Sequence, residues 1–229
     1  MAETTKKPAK PRKSRWKQDP DAVKADILRV ATGEFAAHGL AGGRIDEIAR
    51  KTEASKRMIY YYFGDKEGLY QSVLENVYLM LRENEDALEV ETLEPVAALK
   101  RLVEATFDAH AATPQFIRLV MIENIHNAAY LRKSEIIPRL NRSIIEKLDA
   151  VCRRGQAAGL FRDGADPLEL HWLISSSSYY NVSNRATFSS SYGESLYTPE
   201  GQARLRQRLV DMVLGLVVIG HAPKPLAAG

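Results

Sequence analysis

The sequence has very little cysteine and no long apolar segment. Its 229 residues include one cysteine, Cys152, so no disulfide can form within the chain and a reducing cytoplasm is the expected compartment. Cys152 shares a helical apolar pattern with Leu148 and Val151, which predicts a buried position rather than a redox sensor. The apolar run at residues 212–219 is far too short to span a membrane. The first residues carry charges without an apolar stretch, so we expect no secretory signal.

The signatures of several common enzyme classes are also missing. The chain contains no G-x-S-x-G, P-loop or G-x-G-x-x-G motif. Glu123 and His126 have the spacing of half a di-metal carboxylate motif, but no second pair of this kind is present. The serine run at residues 175–178 has no evident activating histidine and acid in the sequence. We therefore expect no catalytic residues, metal or cofactor, and a helical-bundle enzyme is only a remote alternative.

The net charge of +3 is distributed unevenly along the chain. Residues 1–18 contain seven basic residues and one acidic residue, a net charge of +6, which leaves −3 for the rest. This composition, rich in lysine, proline and threonine, predicts a disordered basic arm. The arm could be a solubilising leader. It could also add phosphate contacts or reach a minor groove beside a DNA-binding unit.

Residues 44–63 have the pattern of two short helices joined by a tight turn. In the first helix, apolar residues recur on one face and charged residues occupy the other. Ser55 then offers an oxygen that can cap the second helix. That helix places two cations and two phenols on its outward face: Lys56, Arg57, Tyr60 and Tyr61. Such a face suits DNA, because cations and hydroxyls bind phosphates and a short helix can enter the major groove. The same residues would also fit a small solvated helix.

The residues that follow make the pattern more specific. Gly64 and Asp65 indicate a break and a new capped helix. The order along this part of the chain is a long amphipathic helix, a capped two-helix unit, the segment YYYFGDKEGLY and another long helix. This order resembles the TetR family of transcriptional regulators, over residues 25–74. The resemblance implies that residues 54–61 form the recognition helix, that Tyr60 and Tyr61 face DNA and that Lys66 contacts a phosphate.

Two positions depart from the family pattern. Gly43 and Arg44 stand where a Thr-Ser-like pair usually caps the second helix, so that cap should be weaker, and the Arg44 charge is a candidate replacement for the lost phosphate contact. Glu53 stands where the turn usually has glycine, and a left-handed backbone there would be strained by roughly 1 kcal/mol. The candidate DNA contacts are Arg44, Ser55, Lys56, Arg57, Tyr60, Tyr61 and Lys66.

The remaining sequence predicts an all-α protein of nine helices, without strand patterns or repeats. Asp-Pro or Thr-Pro pairs predict helix starts at positions 19, 113, 166 and 198, Gly39 is predicted to end the first helix, and residues 189–198 are predicted to form a loop. The predicted units are a disordered arm at 1–18, a three-helix helix-turn-helix DNA-binding domain at 19–65, a helical ligand-binding and dimerisation domain at 66–221, and a tail at 222–229. A long helix joins the two domains.

The resemblance also implies a homodimer, in which the last two long helices form a four-helix bundle with a second copy. A dimer would hold two recognition helices about 35 Å apart, which matches successive major-groove faces and predicts a palindromic operator.

Aromatic and polar residues of the middle helices are candidates for a small-molecule pocket. An apolar cleft with a few polar groups is the usual form of such a site. The candidates are Phe107, His110, Phe116, Met121, Asn124, Trp172, Ser176, Tyr179 and Tyr180. Each of them alone fits a packed core better than a ligand contact, and the family resemblance is the reason for grouping them. The serines at 175–178 would permit either a close dimer contact or space beside a ligand.

These observations predict a ligand-responsive repressor that binds a double-stranded palindromic operator as a homodimer and is released by a small-molecule effector. The main alternative is an architectural protein that binds DNA nonspecifically through its basic arm. The two hypotheses differ in what abolishes binding. Changes at Tyr60 and Tyr61 would damage a specific regulator, whereas loss of residues 1–18 would damage the architectural protein.

Overall fold

A computed structural model describes residues 19–52 and 54–222. Over these two ranges the chain is helical, with one isolated antiparallel bridge between Phe161 and Val218 and no sheet. None of the helices in these ranges is both long and apolar enough to cross a membrane. The all-α prediction is confirmed. The elements are α1 Pro20–Gly42, α2 Ile45–Lys51, α3 Lys56–Phe63, α4 Lys66–Asp86, α5 Pro95–Ala112, α6 Pro114–Ile125, a 3-10 turn Leu131–Lys133, α7 Ile136–Ala157, α8 Pro167–Ser183, α9 Arg185–Tyr192 and α10 Pro199–Val217.

Most helix starts follow the capping residues that the sequence predicts. Asp19, Ser55 and Asp65 each accept a hydrogen bond from the backbone amide three residues later, at 3.0, 3.3 and 2.7 Å. Asp166 and Thr198 cap α8 and α10 in the same way. These bonds satisfy amides that have no partner inside the helix. The sequence therefore determines where α1, α3, α4, α8 and α10 begin.

Thr113 does not cap α6 as predicted. Its hydroxyl donates backward to the carbonyl of Ala109 at 2.7 Å and makes no capping bond with the helix that follows. Pro114 is nevertheless the first residue of α6. Thr113 is therefore both the last cap of α5 and the residue before α6, and its hydroxyl bonds to α5.

The prediction of nine helices and a loop at 189–198 is wrong, because ten α-helices occur within the described ranges. The helix that begins after Asp166 breaks at Asn184, where φ is −102° and ψ is 5°. Helix α9 then continues to Tyr192, within the predicted loop. Neither glycine nor proline marks this break in the sequence. At Gly39 the backbone of α1 leaves the helical region, with φ of +65°, before one further turn follows. The predicted end of the first helix lies at this interruption.

Two apolar clusters form the core of the described residues. The first joins α1–α4 with α6 and includes the buried side chains of Phe35, Ile59, Leu74 and Ile117. It extends across the predicted domain boundary between residues 65 and 66. Helices α4 and α6 thus pack directly on the helix-turn-helix unit.

The second cluster joins α5, α7, α8 and α10. It contains Cys152, which is 2% exposed, as the sequence predicts for a buried residue. Burial raises the pKa of the Cys152 thiol to about 11, so the reactive thiolate is disfavoured at neutral pH.

Candidate nucleic-acid interface and ligand cavity

Helix α3 presents the predicted polar face to solvent. Ile59 is fully buried beneath it, while Tyr60 and Tyr61 are 45% and 78% exposed. Lys56 and Arg57 are exposed on the same helix, and Lys56 forms an ion pair with Asp46 of α2. The arrangement places two phenols and two cations at the surface of an eight-residue helix. Such a surface can bind phosphates and reach base edges.

A buried carboxylate on α1 supplies the cap that α2 lacks. Glu34 is 5% exposed, and its two oxygens accept hydrogen bonds from the backbone amide of Arg44 at 3.2 Å and from the ammonium of Lys51 at 3.3 Å. The Arg44 side chain makes no cap and is exposed. A Cβ at Gly43 would lie 2.6 Å from a ring atom of Phe35, so this close approach favours glycine. The weak cap predicted at this position is therefore compensated from α1.

Two other predicted features of this unit concern Glu53 and Lys66. Glu53 and its turn lie outside the described residues. Lys66 is half-buried, and its ammonium donates to the carbonyl of Ala41 at 3.1 Å. This bond joins the start of α4 to the end of α1, a structural contact that the sequence did not suggest. Two donors of the ammonium group remain for another acceptor.

Six of the nine candidate ligand residues line one cavity of about 530 Å³ between α4, α5, α6, α7 and α8. They are His110, Phe116, Asn124, Trp172, Ser176 and Tyr179. The other three lie elsewhere. Phe107 and Tyr180 line a second cavity of about 330 Å³ beside α10, and Met121 lines an open groove of about 1010 Å³ between α1, α6 and α9. The single pocket expected from the sequence thus corresponds to three separate spaces.

The sequence reasoning missed several polar groups of the 530 Å³ cavity. Arg82 of α4 is 5% exposed and pairs with Glu85, but its Nε has no hydrogen-bond partner within the described ranges. The Oδ1 atom of Asn141 on α7 is likewise buried without a partner. A signal for Arg82 exists, since it follows the buried Tyr78 by four residues and so occupies the inward face of α4.

Two histidines of this cavity are held in the neutral form. Burial, followed by the charge of Arg82, lowers the pKa of both His110 and His171 to about 4. His110 Nδ1 lies 2.8 Å from Ser178 Oγ, within hydrogen-bond distance. At neutral pH, Arg82 is therefore the one permanently charged group among the described residues that line this cavity.

Helix α6 connects the cavity wall to the helix-turn-helix unit. Its Arg118 donates to the carbonyl of Ala36 on α1 at 2.9 Å. Its Glu123 is 1% exposed and accepts a hydrogen bond from the Tyr70 hydroxyl of α4 at 3.0 Å, and the amides of residues 130 and 131 donate to its other oxygen. Burial and the adjacent Glu123 carboxylate raise the pKa of Tyr70 well above its usual value. Phe116 and Asn124, which lie on the same helix, line the cavity. Helix α6 thus contacts both the ligand cavity and the helices that carry the helix-turn-helix unit.

Glu123 and His126, which have the spacing of half a metal site, do not form one. The Glu123 carboxylate is fully engaged by Tyr70 and two amides, and His126 is exposed after the end of α6. Within 19–52 and 54–222, no group of three or more histidine, cysteine, aspartate or glutamate side chains could hold a metal ion.

Comparison with known proteins agrees with this architecture. Residues 27–73 match the model of the tetR family of bacterial regulatory proteins, and residues 95–213 match the tetracyclin repressor-like C-terminal domain. The HTH-type transcriptional repressor NicS of Pseudomonas putida is 34% identical over 197 residues, covering 86% of this chain and 93% of that protein. The HTH-type transcriptional repressor SCO4008 of Streptomyces coelicolor is 35% identical over 161 residues, covering 69% and 77%.

Among solved structures, that of SCO4942 from Streptomyces coelicolor superposes with a TM-score of 0.65 at 28% identity, covering 87% of this chain and 99% of the other. Both halves of the chain and its helical architecture thus match one family. The chain belongs to the TetR family of bacterial transcriptional regulators.

Proposed function

We propose that the chain represses transcription by binding a palindromic operator as a homodimer, and that a small molecule in the 530 Å³ cavity releases it. The observation that carries the DNA-binding part is the exposed face of α3, with Tyr60, Tyr61 and Arg57 at the surface above the buried Ile59. Repression is supported by the two relatives named as HTH-type transcriptional repressors. In this proposal the protein works beside the chromosome in the cytoplasm and catalyses no reaction.

A homodimer is supported by apolar side chains that the single chain leaves exposed on α8 and α10. Tyr180 of α8 and Met212 and Leu216 of α10 are 52%, 50% and 54% exposed. Apolar residues one turn apart on a helix surface are typical of a contact with another helix. Pairing of these two helices with a second copy would bring two α3 helices to the spacing of about 35 Å that successive half-sites require.

Release by a ligand is supported by the position of α6. Phe116 and Asn124 line the cavity, while Arg118 and Glu123 bind α1 and α4. A ligand that displaces α6 would therefore change the positions of both helices that hold α3. The coupling between ligand and DNA would be about 1–3 kcal/mol, the usual range for such systems.

The test is operator affinity measured by fluorescence anisotropy on DNA identified by footprinting. Tyr60→Phe and Lys66→Ala should each weaken binding by roughly tenfold, since each removes one charge-assisted contact with phosphate. Tyr192→Phe on α9, which is 75% exposed, is the matched control and should change nothing. Because Lys66 also binds the Ala41 carbonyl, its variant needs a parallel unfolding measurement. Unchanged affinity in both variants would contradict this docking geometry.

A further inference from the structure

We propose that the effector is a small organic acid with a single negative charge, bound through the guanidinium of Arg82. This inference rests on the proposed function, in which the 530 Å³ cavity holds the effector. It adds the chemical class of the ligand and the residue that recognises it.

The first argument is the unused donor of a buried cation. Arg82 is 5% exposed, and its pairing with Glu85 leaves the Nε–H without an acceptor among the described residues. A buried donor without a partner is unfavourable by about 1–3 kcal/mol, and by more when the group is charged. Guanidinium N–H groups favour carboxylate oxygens. A ligand oxygen with negative charge would satisfy this donor.

The second argument limits the charge of the ligand to one. The Glu85 carboxylate balances the charge of Arg82. The nearby ammonium of Lys147 donates to the Glu85 carbonyl at 2.9 Å, so these three groups together carry a net charge of +1. No lysine or further arginine is among the described residues that line the cavity, and its two histidines are neutral because their pKa values are about 4. A doubly charged phosphate would require more cations than this wall provides. A carboxylate matches the available charge.

The third argument concerns the rest of the ligand. The buried Oδ1 of Asn141, on the neighbouring helix α7, has no donor among residues 19–52 and 54–222, so a hydroxyl or N–H group on the ligand would be bound there. Aromatic rings of Tyr78, Phe116 and Trp172 also line the space. Aromatic walls favour an apolar or aromatic body. The fitting ligand is therefore a compact carboxylic acid with an apolar body and one further donor.

The experiment compares simple carboxylic acids with their uncharged amides on the full-length protein. Benzoate, phenylacetate and cyclohexanecarboxylate, and the three matching amides, are titrated by calorimetry and by thermal shift. At least one acid should bind at least about tenfold more tightly than its amide, the effect expected of one charge-assisted hydrogen bond. If no acid binds, or if the amides bind as tightly as the acids, the inference is wrong.

Variants assign the binding to Arg82. Arg82→Gln alone would leave Glu85 buried without its guanidinium, so the double variant Arg82→Gln/Glu85→Gln is used, and Asn141→Ala tests the other wall. Binding of the acid should fall at least about tenfold in the double variant. It should stay unchanged in Arg153→Gln, an exposed arginine paired with Asp149 on α7. Undiminished binding in the Arg82→Gln/Glu85→Gln variant would overturn the assignment.

Operator release by the same compounds separates the two proposals. An acid that binds in an Arg82-dependent manner but leaves operator affinity unchanged would support the inference and contradict release through this cavity. Release by the amides alone would support the proposed function and contradict the inference.

Discussion

Glu34 offers a quantitative test of how α2 and α3 are held for DNA binding. Its buried carboxylate accepts hydrogen bonds from the Arg44 amide and the Lys51 ammonium. The Lys51 side chain is 48% exposed, so solvent screens that ion pair. The informative perturbations are Glu34→Ala, which removes both contacts, and Glu34→Gln, which keeps a neutral acceptor for the amide.

The expected free energies follow from these contacts. Glu34→Ala loses a hydrogen bond to a charged acceptor, about 1.5–3 kcal/mol, and a buried methylene, about 0.8 kcal/mol. A total loss of about 3 kcal/mol in the free energy of unfolding results. Glu34→Gln loses mainly the screened ion pair and should be destabilised by about 1 kcal/mol or less.

Urea denaturation with a constant m-value measures both changes, and operator affinity reports the consequence for α3. Asp26→Ala is the matched control on α1, because the Asp26 carboxylate forms an ion pair with the exposed Arg29. This variant should stay within about 0.5 kcal/mol of the parent. Equal effects of Glu34→Ala and Asp26→Ala would refute the capping role. A Glu34→Gln variant as unstable as Glu34→Ala would show that the charge, rather than the hydrogen bond, stabilises α2.

Three further predictions concern α4, α5 and the α1–α2 junction. Tyr70→Phe should lower the free energy of unfolding by about 1–3 kcal/mol because it removes a donor from the buried Glu123 carboxylate, and an unchanged urea midpoint would contradict this bond. The pKa of His110, about 4 in the fold, is below its unfolded value of about 6.5, so the unfolded state binds more protons between these values. This histidine alone should lower the stability by about 3 kcal/mol as the pH drops from 6.5 to 4. His110→Asn should remove this contribution and reduce the slope of stability against pH. Gly43→Ala should lower the free energy of unfolding by about 1–3 kcal/mol, because the added Cβ would overlap the ring of Phe35. Without that overlap, alanine would be expected to stabilise the protein, since the φ of Gly43 is −63°. A higher melting temperature would contradict the close approach.

Local patterns in the sequence were sufficient for the helix-turn-helix unit. The caps at Asp19, Ser55 and Asp65 and the outward face of α3 depend on residues within one or two turns of each other, so periodicity and capping rules predict them. The break at Asn184 carries no glycine or proline signal, and the sequence reasoning missed it. Thr113 precedes a proline, as a capping threonine often does, but its hydroxyl donates to the Ala109 carbonyl of the preceding helix instead.

Contacts between distant residues could not be read from the sequence. Glu34 compensates for the missing cap across ten residues, and Glu123 binds Tyr70 across fifty-three. The candidate ligand residues were chosen by type, and packing divided them among three spaces because residues such as Phe107 and His110, three positions apart, face different neighbours. Arg82 was omitted because a charged residue near the end of a long helix is usually solvated.

The most direct test of the central claim is a footprint of the full-length protein on the DNA that flanks its own coding region. The same measurement is made at raised salt, with residues 1–18 removed, and with Tyr60→Ala/Tyr61→Ala. The account predicts a short, two-fold symmetric protected site that survives the first two changes and is lost in the double variant. Diffuse protection that disappears when residues 1–18 are removed, and that is unchanged in the Tyr60→Ala/Tyr61→Ala variant, would contradict this account. It would show that the basic arm supplies the affinity for DNA.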